Sequence, residues 1–196
     1  MSAEPSSPKT LSRKAQEVIE SISRDRERLL GAVAGLGPAQ LEFQPSAGAW
    51  SIGEVLHHLA LADDGTSRLF ARFLERAQEA KLPPDPSPER SVLGTIETVV
   101  AGADEQKAVA PDRVTPRSHL DAEECLARLS ASRTKLIGTL GRLSAFDVST
   151  LTFPHPFFGE LDPYQWLLIT GWHERRHTAQ IERNQSNGTF PRTPRP

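Results

Sequence analysis

Apolar residues in this chain recur at helical spacing in four long stretches, and no stretch alternates convincingly with the period of two expected of a half-buried strand. The first stretch covers about 12–36. Val18, Ile22, Leu29, Leu30 and Val33 share a face there, and Gly37-Pro38 ends the run. The second starts after Trp50, where Ser51 and Glu54 stand at capping-box spacing, and reaches about Lys81. Pro83, Pro84, Pro86 and Pro88 break it, and a shorter helix is predicted over about 89–103. After a loop at 110–116, Asp121 and Glu124 form another capping-box signature. It opens a third helix with Cys125, Leu129, Leu136, Leu140 and Leu143 on one face. An irregular connection over 144–161 leads to the last helix. Asp162 caps it, with Pro163 and Gln165 in its first turn, and Asn187-Gly188 stops it.

Four amphipathic helices of this length bury their stripes by packing side by side, so the expected fold is all-α, a four-helix bundle over 11–188. Long links after the second and third helices permit a crossover connection. The Pro- and Ser-rich residues 1–10 and residues 189–196 read as flexible tails.

The last helix carries two histidines four residues apart, His173 and His177, on the stripe that includes Trp166, Thr170 and Ile181. Both rings therefore point inward. A bundle core does not take two adjacent imidazoles for packing alone, because each buried polar group without a partner costs about 1–3 kcal/mol. Hydrogen bonds to core carboxylates or hydroxyls are one way to satisfy them; a shared cation is another. On the second helix, His58 follows the apolar stripe of Val55, Ala62, Leu69 and Phe73. His57 shares its face with Asp64, Arg68 and Arg72 and is expected to be exposed or to support a ligand. His58, His173 and His177 thus form a candidate three-nitrogen metal site with an open position.

The string His173-Glu-Arg-Arg-His177 also matches the H-E-x-x-H motif of zinc proteases. Only 19 residues follow it, and Glu182, their sole carboxylate, lies about 140° around the helix from His177. The protease reading is set aside. Glu174 is expected to face water, with a place at the pocket rim as a base the alternative. Gln180 can reach the face of His177 and hydrogen-bond a ligand ring or a bound water. His155, in the loop before the last helix, is a candidate for touching substrate at the pocket mouth. Asp63 and Asp64 read as solvated, His119 as a loop histidine, Cys125 as core, and Trp50, Trp166 and Trp172 as packing residues, with Trp172 able to edge the pocket.

Trp50-Ser-Ile-Gly-Glu-Val-Leu-His-His58-Leu, Ala110-Pro-Asp-Arg-Val-Thr-Pro116, His155-Pro-Phe-Phe-Gly159, Trp166 and His173-Glu-Arg-Arg-His177-Thr-Ala-Gln180-Ile181 together resemble the DinB-like (YfiT-like) metal-dependent four-helix bundles. The resemblance implies a crossover bundle, a nickel- or zinc-type ion on His58, His173 and His177, and a frequent homodimer. It implies reactions that include S-transfer with bacterial low-molecular-weight thiols, and hydrolysis.

Composition narrows the alternatives. Net charge is −2 and pI about 6.3, so nothing draws the chain to nucleic acid or anionic lipid. One cysteine excludes an internal disulfide and fits a reducing, cytoplasmic setting. No phosphate loop, nucleophile elbow or dinucleotide fingerprint is present. The expected function is metal-dependent S-transfer with a low-molecular-weight thiol and a small-molecule substrate. Hydrolysis of a small amide or ester, or non-enzymatic binding of metal or a small ligand, is the alternative.

Overall fold

In the computed structural model, residues 11–101, 109–116 and 121–192 are described. Among them, four long helices form a bundle: α1 (Arg13–Val33), α3 (Ile52–Glu79), α5 (Ala122–Leu143) and α6 (Pro163–Gln185). Short helices α2 (Pro38–Leu41) and α4 (Thr95–Val99) and a 3-10 turn at Asp112–Val114 lie in the links.

The helix starts are set by local chemistry. Ser12 Oγ accepts from the Ala15 amide, and Ser51 with Glu54 and Asp162 with Gln165 close reciprocal capping boxes. The box expected at Asp121 does not form. Its carboxylate accepts from the Glu123 amide instead, while Glu124 pairs with Arg128 one turn on. Of the helix expected over 89–103, the described residues form Thr95–Val99 alone, with Ile96 buried and Val92, Leu93, Val99 and Val100 only partly buried against the core; 102–103 lie outside the described residues.

Cross-helix contacts give the topology. Lys14 lies over the Tyr164 ring, Asp25 pairs with Arg175 and Ala32 accepts from Gln185, so α1 and α6 run parallel. Arg133 bonds the Ile22 carbonyl and Arg26 the Leu129 carbonyl, so α1 and α5 run antiparallel. His58 meets His173 while Trp50 meets Asn184, so α3 and α6 are antiparallel as well. It follows that α3 and α5 are parallel, and the chain between them must travel back along the whole bundle. This is the crossover. That return path carries the Asp112–Val114 turn to the side of His58.

Two apolar clusters fill the interior. One joins Val18, Ile22, Phe70, Phe73, Leu136, Leu140 and Leu167; the other joins Leu29, Val55, Leu56, Leu59, Leu129 and Ile181. Phe190 packs into the second cluster and meets the Phe43 ring edge-on, so the segment expected to be a loose tail is anchored at that point. Its neighbour Pro191 accepts a hydrogen bond from Gln40. The connection before α6 holds a small antiparallel hairpin that strand patterning does not reveal, β1 (Phe153–His155) with β2 (Gly159–Leu161). Three-residue strands are too short to show an alternation. Gly159, at φ +70°, supplies the left-handed residue that closes the turn.

Candidate metal centre

Three imidazoles from α3 and α6 converge. His58 Nε2 lies 3.0 Å from His173 Nε2, and His177 Nε2 lies 3.1 Å from the same atom. All three ligand atoms fall within 4.8 Å of one another. Tetrahedral ligands at ~2.05 Å from zinc stand about 3.3 Å apart, close to the two spacings from His173.

The outer ring nitrogens fix the tautomers. His58 Nδ1 donates to the Val114 carbonyl at 2.8 Å, and His177 Nδ1 donates to Gln180 Oε1 at 2.8 Å. With those protons outside, the Nε2 atoms of His58 and His177 both present lone pairs to His173. His173 Nε2 carries at most one proton and satisfies at most one of them. A divalent cation accepts all three, and the donor set fits it.

Electrostatics favour the same state. Burial, then the neighbouring His177 and His58, holds His173 well below the usual imidazole range. Burial and His58 push His177 down to about 3. His58 is lowered mainly by burial, against the Val114 hydrogen bond. Neutral imidazole is the ligand form. His58 is buried and His173 only partly so, which leaves one side of the cluster approachable. Trp50 walls another side, its ring centroid 4.9 Å from His58 and 6.4 Å from His177.

Structure and sequence reading part company at four positions. Glu174 is wholly buried and neither faces water nor edges the site. It accepts from Arg26 and Arg133 in the bundle interior. Asp63 is buried in the same cluster. His57, expected on a solvated face, is buried at 5% exposure. Trp50, read as packing, lines the site. His119 lies outside the described residues. Gln180 lies within hydrogen-bond reach of the His177 ring.

His155 sits at the end of β1 against the Phe158 and Trp166 rings, with centroids 4.9 and 4.7 Å away. Its Nδ1 accepts from the Phe157 amide at 3.2 Å, so the neutral ring carries its proton on Nε2. Burial, then Arg113, pushes its pKa down to about 4. The Val114 carbonyl is a participant that side-chain patterning cannot find; the Ala110–Pro116 stretch was its only signal.

Residues 21–181 match the model of the DinB superfamily. This chain belongs to the DinB superfamily. It is 31% identical to "Uncharacterized protein YuaE" of Bacillus subtilis strain 168, over 76% of this chain and 85% of that protein. Two relatives at 26% identity carry the name "Putative metal-dependent hydrolase". One, from Bacillus mycoides, aligns over 83% of this chain and 80% of its own length; the other, from Geobacillus kaustophilus, over 85% and 81%. The crystal structure of TT2238, a four-helix bundle protein, superposes with a TM-score of 0.56 at 26% identity, over 86% of this chain and 98% of that one. No described helix of this superfamily member is long and apolar enough to cross a membrane.

Proposed function

We propose that this chain is a divalent-metal-dependent enzyme that transfers a low-molecular-weight thiol to a small electrophile, with His58, His173 and His177 holding a zinc- or nickel-type ion through Nε2. The observation that carries the reading is the pair of inward lone pairs on His58 and His177 with too few protons to satisfy them. When bound, such a cation supplies a Lewis-acidic open position that favours the ionised form of a thiol or water.

The chain's own residues do the rest. Val114 and Gln180 hold the outer protons, so the inward nitrogens stay free. Trp50 keeps water from one flank. His155, neutral and protonated on Nε2, offers a hydrogen bond to an acceptor on the substrate from the hairpin. Glu174, the carboxylate of the H-E-x-x-H string, is bound by two arginines and is not free to act as a general base. That favours a thiol, whose ordinary pKa near 8.5 needs only a small downward shift.

Hydrolysis of a small amide or ester is the second reading, favoured by the names of the relatives at 26% identity. Protein purified without a polyhistidine tag or added metal is assayed by elemental analysis. It is then given a thiol panel with a chlorinated nitroarene, and separately nitrophenyl esters. Metal at about one per chain with thiol-dependent turnover is expected. Ester cleavage without thiol selects hydrolysis; a chain that takes up neither zinc nor nickel ends both readings.

A further inference from the structure

Between the two apolar clusters lies a buried charged layer to which every long helix contributes. Arg26 comes from α1, Asp63 from α3, Ser132 and Arg133 from α5, and Glu174 from α6. We propose that this layer is a positioning lock that sets the register of α3 against α6, and so brings His58 to His173 and His177; the inference rests on the metal-site reading above.

The bonding is directional. Arg26 Nη2 reaches Asp63 at 2.7 Å and also Glu174 Oε1, and its Nε reaches Glu174 at 3.0 Å. Arg133 Nη2 donates to Glu174 at 2.7 Å. The remaining arms bond the backbone: Arg26 Nη1 to the Leu129 carbonyl at 2.7 Å and Arg133 Nη1 to the Ile22 carbonyl at 2.6 Å. Ser132 Oγ approaches Asp63 at 3.3 Å. The four charged side chains are at most 8% exposed, and their formal charges cancel. Burial opposes the charge on Arg26, but Glu174 and Asp63 outweigh it and raise its pKa.

Two facts argue against stability as the layer's main yield. Replacing a buried ion network with apolar groups of similar volume is often neutral or stabilising. Here Glu174 Oε2 and Arg133 Nε also find no protein partner, which weakens the folded state. What the layer supplies that leucines cannot is register, since apolar contacts tolerate sliding and a guanidinium fork does not. Its position suits that role. Glu174 is the residue after His173, and Asp63 stands just over one turn past His58. A three-ligand site tolerates about 0.5 Å of misplacement.

The test compares wild-type protein with Glu174→Gln, Asp63→Asn, and the fourfold Arg26→Met, Asp63→Leu, Arg133→Met, Glu174→Met. Zinc affinity is measured by chelator competition, thermal unfolding by calorimetry, and imidazole nitrogen shifts of the metal-free proteins by NMR. The expected result is a folded variant with zinc affinity about 10- to 100-fold weaker and altered shifts for His58 and His173, out of proportion to any change in melting temperature. Should the fourfold variant not fold, the two isosteric single variants decide. Zinc affinity within twofold of wild type in a folded variant overturns the lock, as does a melting-temperature loss with unchanged shifts. Wild-type protein that binds no zinc or nickel sinks the metal reading itself, a separate outcome.

Discussion

A ring nitrogen that faces outward decides what its partner nitrogen can do. Gln180 is the clearest case, because its amide oxygen holds the His177 Nδ1 proton at 2.8 Å and frees Nε2. Gln180→Leu keeps size and removes that acceptor. It is expected to weaken metal binding about 10- to 100-fold while leaving the helix intact, as isothermal titration and circular dichroism would show. Cys125 makes a contrasting case. It is fully buried, and burial pushes its thiol up to about 11. Native protein at pH 8 is expected to be inert to a disulfide exchange reagent and to react once per chain in denaturant. Fast native labelling would show that the start of α5 parts from the cluster that buries this thiol.

Helix pairs meet at distances set by their smallest residues. Gly171 in α6 faces α1 so closely that a Cβ there would stand 2.7 Å from Asp25 Oδ2 and 3.3 Å from Ile22 Cγ2. Glycine inside a helix costs up to about 1 kcal/mol against alanine, and close approach is the return. Alanine would displace the flexible carboxylate end of Asp25 and strain its 2.8 Å bond to Arg175. Gly171→Leu cannot be absorbed that way. It is expected to destabilise the fold by about 1–3 kcal/mol in urea unfolding, and to loosen the α1–α6 pair on which the Arg26–Glu174 bond depends. An unchanged midpoint would mean that the two helices can part without cost.

Among the described residues, four partly or fully buried histidines lie below the ordinary imidazole value of 6.5: His58, His173, His155 at about 4 and His177 at about 3. The sign follows from proton counting. Below about pH 6.5 the unfolded chain takes up protons that the folded chain refuses, so stability is full above that value and falls as pH drops toward 4. Metal-free protein is expected to show a flat melting temperature above pH 7 and a steep decline from 6.5 downward. His155→Gln should make that decline shallower by about one proton. A melting temperature independent of pH over this window would place the imidazoles in water.

Capping residues and apolar stripes are local quantities, and they suffice for the four helices, for their boundaries to within a few residues, and for the inward placing of His58, His173 and His177. A stripe, however, describes a helix with one buried face. In the bundle α6 lies against both α1 and α3, so its buried arc is wider than its apolar stripe, and Glu174 falls inside that arc although it stands about 100° from His173. Asp63 and His57 are buried on α3 for a comparable reason. No periodicity marks a backbone carbonyl, so Val114 had to be delivered to His58 by the returning crossover. Which charges pair, which proton each ring keeps, and how closely two helices approach depend on residues far apart in the chain. Only the packed bundle brings those residues within bonding distance.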